Sequence, residues 1–148
     1  MNDTMSNTPI TSLSAGKAIY GLLSSDAALM GSLTKVFPVV ADDAAMPYIA
    51  YRRVSLDDVP QKRGLGADSV NIEVSVFTEE YEAGISLAER VRSVLEVHGG
   101  CVVSGMILRS SYLTACEETW LDDAYVQRLV FTVRIGGAAE VTNNNQNE

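Results

Sequence analysis

The segment from Ser69 to Gly100 constrains the fold more than any other part of the chain, because a strand pattern runs directly into a helix pattern there. In its first half, apolar residues alternate with polar ones: Val70, Ile72, Val74 and Val76. Successive side chains of a strand point to opposite faces, so these four share one face. The alternation predicts a strand with one buried face and one polar face.

The second half of the segment predicts a helix with well-marked ends. Its apolar residues recur at three- and four-residue steps, at Tyr81, Ile85, Ala88, Val91 and Leu95. That spacing places them along one side of a helix. Thr78 is the predicted N-cap and Gly99-Gly100 the predicted stop. The segment sets an architecture, and it contains no catalytic group.

Other segments supply further helices and strands around this pair. Two short helices are predicted near the N-terminus, at Ala15–Ser24 and Ala27–Ser32. Extended patterns follow at Lys35–Val40, Tyr48–Val54, Met106–Glu117 and Tyr125–Ile135. Pro38 cannot donate to a strand ladder, so the first of these is predicted as an edge strand or an irregular extended segment. In the Met106 strand, Met106, Leu108 and Tyr112 are predicted to share one face, opposite Ile107 and Leu113.

These elements predict an α+β fold with a mostly antiparallel sheet of four to five strands and helices packed on one face. One domain is expected at residues 15–137, after a flexible arm at 1–14. The Asn-rich segment 138–148 is predicted to be a disordered tail.

Two connections stand out as places for contacts with other proteins. Leu56 to Ala67 is predicted as a long loop that carries Lys62 and Arg63 beside glycines. It lacks the strand, glycine-rich turn, lysine and helix order of a phosphate-binding loop, so an assembly arm is the preferred interpretation. Glu118 to Asp123 is predicted as a turn that contains Trp120, the single tryptophan. A tryptophan there is expected to cap the edge of the core, or else to anchor an interface.

The bulk composition excludes several classes of function. The net charge is −8 over 148 residues, which argues against binding nucleic acid through phosphate neutralisation. No apolar run approaches the length of a membrane span. The N-terminal residues lack the pattern of a secretory signal, so synthesis in a cytoplasm and reduced cysteines are expected.

No catalytic, cofactor or metal site is predicted. His98 and Cys101 are close in sequence, but no third group that would orient them is identifiable. Cys116 has no histidine near it in sequence. The paired acidic residues lack the spacing of a calcium loop, and no Cys/His cluster has zinc spacing.

The order of four segments resembles a known family. Pro47–Tyr51, Val70–Val76, the helix with Tyr81 and Val91-Arg92, and Tyr125–Val133 together resemble the tail-completion, or tail-terminator, proteins of long-tailed bacteriophages and prophages. The resemblance covers Ile19 to Ile135. The Asn-rich tail and the His-Gly-Gly-Cys turn depart from it.

The resemblance implies a structural protein of the virion tail or neck with no enzymatic activity and no cofactor. Such a subunit is expected to form a ring with itself, typically of six copies, on the head-proximal end of the tail tube. It would stop growth of the tube and join it to the head–tail connector protein. No sequence-specific nucleic-acid binding and no membrane contact are expected.

Residues suspected of contacting neighbouring subunits are exposed arginines and lysines together with the tryptophan: Arg52, Arg53, Lys62, Arg63, Trp120 and Arg128. The alternative is a stand-alone binding module or a small enzyme that uses the sheet surface or the His98–Cys101 turn.

Overall fold

The computed structural model describes residues 12–59 and 67–136. A single 3₁₀ turn, Ser12–Ser14, leads into α1, Ala15–Ser24, and α2, Ala27–Gly31; the third helix, α3, is Tyr81–Leu95. The strands are β1 Lys35–Pro38, β2 Tyr48–Val59, β3 Ala67–Thr78, β4 Cys101–Val103, β5 Met106–Leu121 and β6 Ala124–Gly136. The predicted arm is described only at residues 12–14, and the predicted tail at 138–148 lies outside the described residues.

All six strands form one mixed sheet that curls into a half-barrel. Its strand order is β1-β2-β3-β6-β5-β4. Each neighbouring pair is antiparallel except β1 and β2, which are parallel. The α+β prediction is therefore confirmed, but the predicted count of four to five strands is wrong, because the short segment Cys101–Val103 also pairs with β5.

The core lies between one face of this sheet, called here the inner face, and the three helices. Val70, Ile72, Val74 and Val76 of β3 are all fully buried on that face, so the predicted alternation is confirmed. They pack in one cluster with Leu129 and Phe131 of β6 and with apolar residues of every helix: Ile19, Leu23, Leu29, Ala88, Val91 and Leu95. Within residues 12–59 and 67–136, every buried apolar residue of the helices belongs to this one cluster.

Two predicted connections are shorter than expected. Leu56 to Val59 continues β2 and pairs with Ala67 to Val70, so at most residues 60–66 connect the strands, and these lie outside the described residues. Glu118 to Leu121 continues β5 and pairs with Ala124 to Gln127. The β5–β6 turn is therefore only Asp122-Asp123, both with positive φ, as in the two-residue hairpins that match strand twist.

The ends of α3 also differ from the prediction. Thr78 is the last residue of β3, and Glu80 occupies the N-cap position without a side-chain cap bond. The Thr78 hydroxyl instead donates to the Glu80 carbonyl at 2.8 Å. At the other end the helix stops at Leu95, before Gly99-Gly100, because Val97 forms a bridge with Ser111 of β5.

A β-bulge changes the faces of β5. The register shifts between Leu108 and Ser110, and again between Leu113 and Ala115. A bulge inserts one unpaired residue and so reverses the alternation beyond it. Met106 and Leu108 are buried, as expected for one face, but Tyr112 is exposed on the outer face. The prediction that Tyr112 shares their face is wrong for this reason.

Candidate functional site

The outer face of the sheet carries a ladder of ion pairs that crosses four strands. Arg52 of β2 pairs with Glu73 of β3 at 3.1 Å, and Glu73 pairs with Arg128 of β6 at 3.3 Å. Arg128 also reaches Glu117 of β5 at 3.2 Å. The Glu73 side chain is only 15% exposed and lies between two guanidinium groups. Partly buried and networked pairs of this kind are more persistent than isolated surface pairs.

A row of hydrogen bonds runs beside the ladder. Asn71 donates through Nδ2 to Ser55 Oγ at 2.8 Å, and Thr132 Oγ1 donates to Asn71 Oδ1 at 2.7 Å. These bonds join β2, β3 and β6 once more. Most of these polar side chains bond to one another without a covering helix, whereas Arg134 Nε, on the same face, is buried without a hydrogen-bond partner among the described residues.

At one end of this face, aromatic rings replace the charges. Phe37 of β1 meets Tyr48 of β2 edge to face at 5.8 Å, and Tyr48 stacks on Phe77 of β3 at 4.7 Å. Phe37 is 5% exposed. The packing of these rings holds the short edge strand β1 against the sheet, in addition to the backbone hydrogen bonds of its four residues.

The second notable feature is a cleft where the start of α3 meets the β5–β6 turn, called here the corner cleft. It is an open pocket of about 260 Å³ lined by Tyr81, Glu118, Thr119, Trp120, Tyr125 and Gln127. Strand pairing explains how these residues meet. Glu118 is opposite Gln127 and Trp120 is opposite Tyr125 in the β5–β6 ladder, and Tyr81 is the first residue of α3.

Hydrogen bonds hold the carboxylate of Glu118 in this cleft. The Tyr81 hydroxyl lies 2.9 Å from Oε1 and 3.1 Å from Oε2, and Gln127 Nε2 donates to Oε1 at 3.0 Å. The bonds from Gln127 and then Tyr81 lower the pKa of Glu118, because they stabilise the charged form. The same contact raises the pKa of Tyr81, and the charges of Glu118 and Glu82 add to that rise. The Glu118 carboxylate therefore gives the cleft a negative charge.

Strand β5 also leaves an open edge. On one side it pairs with β6 along its length, but on the other side β4 covers only Met106 to Leu108, and Val97 bridges Ser111. Between Leu113 and Leu121, no strand in the described ranges 12–59 and 67–136 pairs with that other side; at its start the Leu113 N–H donates to the Glu96 carboxylate at 3.4 Å. An open edge of this length presents unpaired backbone donors and acceptors to a further strand.

The structure separates the suspected interface residues. Arg52 and Arg128 come together through Glu73 on the outer face. Arg53 points to the inner side, where its guanidinium donates to the Leu13 carbonyl at 2.8 Å. Trp120 lies in the corner cleft and is 56% exposed. Lys62 and Arg63 lie outside the described residues.

Sequence reasoning missed the acidic residues that organise both features. Glu117 and Glu118 form one of the acidic pairs for which the sequence predicts no calcium site, yet alternation along β5 sends their side chains to opposite faces, one to Arg128 and one to Tyr81. Had the strand been extended to Leu121, the alternation alone would have separated them. No local sequence pattern predicts that Tyr81 lies over Glu118, because this contact depends on how α3 packs on the sheet.

The alternative catalytic sites gain no support from geometry. His98 and Cys101 flank Gly99 and Gly100, whose φ angles are positive. Cys101 is half-buried and Cys116 is exposed, and both are free thiols. In the part of the chain that the structure describes, no three His, Cys, Asp or Glu side chains are grouped so as to hold a metal ion. No helix within residues 12–59 and 67–136 has the length and apolar character needed to cross a membrane.

Comparisons with known proteins agree with this architecture. The family described as Tail completion protein gp17 matches residues 17–136. Among solved structures, a chain from the "Virion of native gene transfer agent (GTA) particle" is similar to this one with a TM-score of 0.68 and 22% sequence identity. The match covers 83% of this chain and 97% of that chain, and at this identity it supports the shared fold. No curated protein sequence matches the chain.

Proposed function

Because the chain belongs to the Tail completion protein gp17 family, a family of phage tail structural proteins and not of enzymes, we propose that it closes the tail tube as a ring. In this proposal six copies assemble on the head-proximal end of the tube, stop its growth and present a surface to the head–tail connector protein. The single observation that carries the proposal is the family match across residues 17–136.

The two edges of the sheet support a ring. One edge is β5 from Leu113 to Leu121. The other is β2 beyond Tyr51, where the pairing with β1 ends. Two different surfaces on opposite sides of a subunit allow a head-to-tail contact, and such contacts close into rings when the rotation between neighbours fits. We therefore place the contact between subunits at these two edges.

The outer face suits a surface that is shared with other proteins. Its ion-pair ladder and hydrogen-bond row are formed within one subunit, so a partner meets an ordered surface and needs little rearrangement on binding. In the proposed ring this face is available to the tail tube protein or the connector. The most accessible charges of the ladder are Glu117, whose side chain is 66% exposed, and Arg52, whose side chain is 50% exposed.

The exposed thiol of Cys116 permits a direct test of the β5 edge. In a Cys101→Ser background, a polyethylene glycol maleimide attached to Cys116 places a bulky group on that edge. The matched control carries Cys101→Ser, Cys116→Ser and Glu89→Cys, which moves the same label to an exposed position of α3. Native mass spectrometry and negative-stain images, recorded with and without the tail tube protein, report ring formation and tube length.

The proposal predicts rings or capped tubes of uniform length with the unlabelled protein and with the helix-labelled control, and their loss with label at Cys116. A protein that forms no ring and fails to limit tube growth even when the tube protein is present refutes the proposed function. Equal assembly with both labels refutes the placement of the contact at β5.

A further inference from the structure

We propose that the corner cleft binds a cationic side chain, an arginine or a lysine, presented by a neighbouring protein of the assembly. The chemistry of the cleft is independent of the ring, whereas the identification of the partner as an assembly neighbour rests on the proposed function. The inference combines three aromatic rings, one ordered carboxylate and a volume of side-chain size.

The three aromatic rings of the cleft form two edge-to-face pairs that share Tyr125. Tyr125 stands in the middle, 4.9 Å from the Trp120 ring at an interplanar angle of 69° and 5.6 Å from the Tyr81 ring at 66°. Trp120 and Tyr81 remain 56% and 38% exposed, so ring surface is open to solvent. A cation over an aromatic face is attracted by the ring quadrupole, and tryptophan and tyrosine are the favourable rings for this contact.

The carboxylate of Glu118 supplies the charge that such a ligand needs. Tyr81 and Gln127 fix its orientation, and their hydrogen bonds lower its pKa, so it is ionised at neutral pH. A carboxylate offers about four lone-pair sites, and the recorded bonds from these two residues leave room for a further donor, notably at Oε2. A guanidinium or an ammonium group is the charged donor that fits this position.

Within residues 12–59 and 67–136, no cation already fills the role. The residues that line the cleft include no arginine or lysine. Arg128 is the closest arginine along β6, but alternation places it on the outer face, where it pairs with Glu73 and Glu117. Glu82 adds further negative charge near Tyr81. The negative charge of the cleft is therefore uncompensated within the part of the subunit that the structure describes.

Other ligand classes fit less well. An anion would meet the Glu118 carboxylate, and an apolar side chain would cover that carboxylate without replacing its contacts with water, which costs free energy. At about 260 Å³ the cleft lies just below the usual range of small-molecule sites, roughly 300–1,000 Å³. One long side chain on a protein surface matches both its size and its charge.

Trp120 gives this proposal a direct readout, because it is the only tryptophan of the chain and it lines the cleft. The experiment titrates the purified protein with N-acetyl-arginine methylamide at constant ionic strength and follows tryptophan emission. N-acetyl-citrulline methylamide, which has nearly the same shape without the charge, is titrated in parallel. We expect a saturable change with the arginine compound, with a dissociation constant on the order of millimolar.

Two single substitutions separate the cleft from the neighbouring surface. Glu118→Gln removes the charge and is expected to weaken binding about five- to tenfold. Glu117→Gln is the matched control, because the adjacent side chain points to the outer face and pairs with Arg128; binding by this variant should be unchanged. Far-ultraviolet circular dichroism establishes that both variants are folded.

The proposal is overturned if the citrulline compound binds as tightly as the arginine compound, if Glu118→Gln binds normally, or if no saturable change occurs up to about 100 mM, roughly a hundredfold above the expected dissociation constant. These outcomes are distinct from a failure of the proposed function. A protein that binds the arginine compound but never caps a tube refutes the ring, and one that caps tubes without binding the compound refutes the cleft.

Discussion

Substitution of Gly84 by alanine tests how closely α3 approaches the sheet. A Cβ atom at this position would lie 2.8 Å from Thr78 Oγ1 and 3.6 Å from Gln127 Cγ. Thr78 is 1% exposed, and its hydroxyl donates to the Glu80 carbonyl. It cannot rotate away without losing that bond. Because Tyr81 begins the same helix, this contact also sets the height of the helix above the corner cleft.

The size of the effect follows from two opposing terms. Alanine is favoured over glycine in a helix interior by about 1 kcal/mol. Overpacking a buried contact costs roughly 1–3 kcal/mol. We therefore expect Gly84→Ala to lower the free energy of unfolding by about 1 kcal/mol, or the melting temperature by about 4 °C, although the same substitution would stabilise an ordinary exposed helix.

Thr78→Ala reverses the expected sign. It removes the atom that the new methyl group would meet, at the cost of one hydrogen bond worth about 1 kcal/mol. In the Thr78→Ala background, Gly84→Ala should stabilise the protein by up to about 1 kcal/mol. The double-mutant cycle thus has an expected coupling of about 2 kcal/mol.

Urea unfolding of the four proteins, followed by circular dichroism, measures this cycle. Equal slopes against urea would establish that the compactness of the two states is unchanged. The reasoning is refuted if Gly84→Ala stabilises the protein with Thr78 present, or if the two substitutions are additive within about 0.3 kcal/mol.

Three further predictions follow from the core and from the charged contacts. Phe131→Ala, at a fully buried position, should cost about 3–5 kcal/mol in urea unfolding, and a loss below about 1 kcal/mol would contradict its place in the core. Asp26 accepts two hydrogen bonds from Arg90, and these lower the pKa of Asp26. The ionised Asp26 should therefore stabilise the fold fully above about pH 4, and this stabilisation should be lost as the pH falls through the lowered pKa of the folded protein. The stability difference between the wild-type protein and Asp26→Asn should therefore shrink in acid, and a difference that is constant from neutral pH to pH 2 would refute this assignment. Glu73→Gln should lower stability by about 0.5–1 kcal/mol. The loss should be smaller in 1 M salt, because the partner Arg52 is half exposed and salt screens its charge; thermal melts at low salt and in 1 M salt check this.

The inner face of the central strands could be predicted from sequence because its signal is local. Val70 to Val76 alternate without interruption, and Leu129 to Ile135 do the same. Strands with one buried face carry this pattern in the chain itself. The helix periodicity from Tyr81 to Leu95 is equally local, and the observed helix covers those residues, although the predicted N-cap at Thr78 and stop at Gly99-Gly100 are wrong.

The strand ends were harder to predict because polar residues occupy them. Leu56 to Val59 contains Asp57-Asp58, and Glu117-Glu118 stands at the start of the other segment, so an acidic pair interrupts the apolar pattern in both. They are strands because the neighbouring strand satisfies their backbone groups. Tertiary pairing overrides a weak local preference for strand structure.

The candidate surfaces were predictable only in part. Arg52, Arg128 and Trp120 were identified as exposed residues, but nothing in the sequence indicates that Glu73 joins the two arginines. That arrangement depends on the register between β2, β3 and β6. The bulge at Leu108–Ser110 is another such case, since no glycine or proline marks it and it appears only in the pairing with β6.

The ion-pair ladder has a consequence for the fidelity of folding. A slip of one residue between strands would turn valines outward and charges inward, which the apolar pattern penalises strongly. A slip of two residues keeps every apolar side chain on the inner face, so the free energy of apolar burial does not distinguish it from the native register. It would, however, separate Arg52 from Glu73 and Arg128 from Glu117, which are direct partners in the correct register. The ion pairs of the outer face thus favour the native register over misaligned sheets that bury the same apolar side chains.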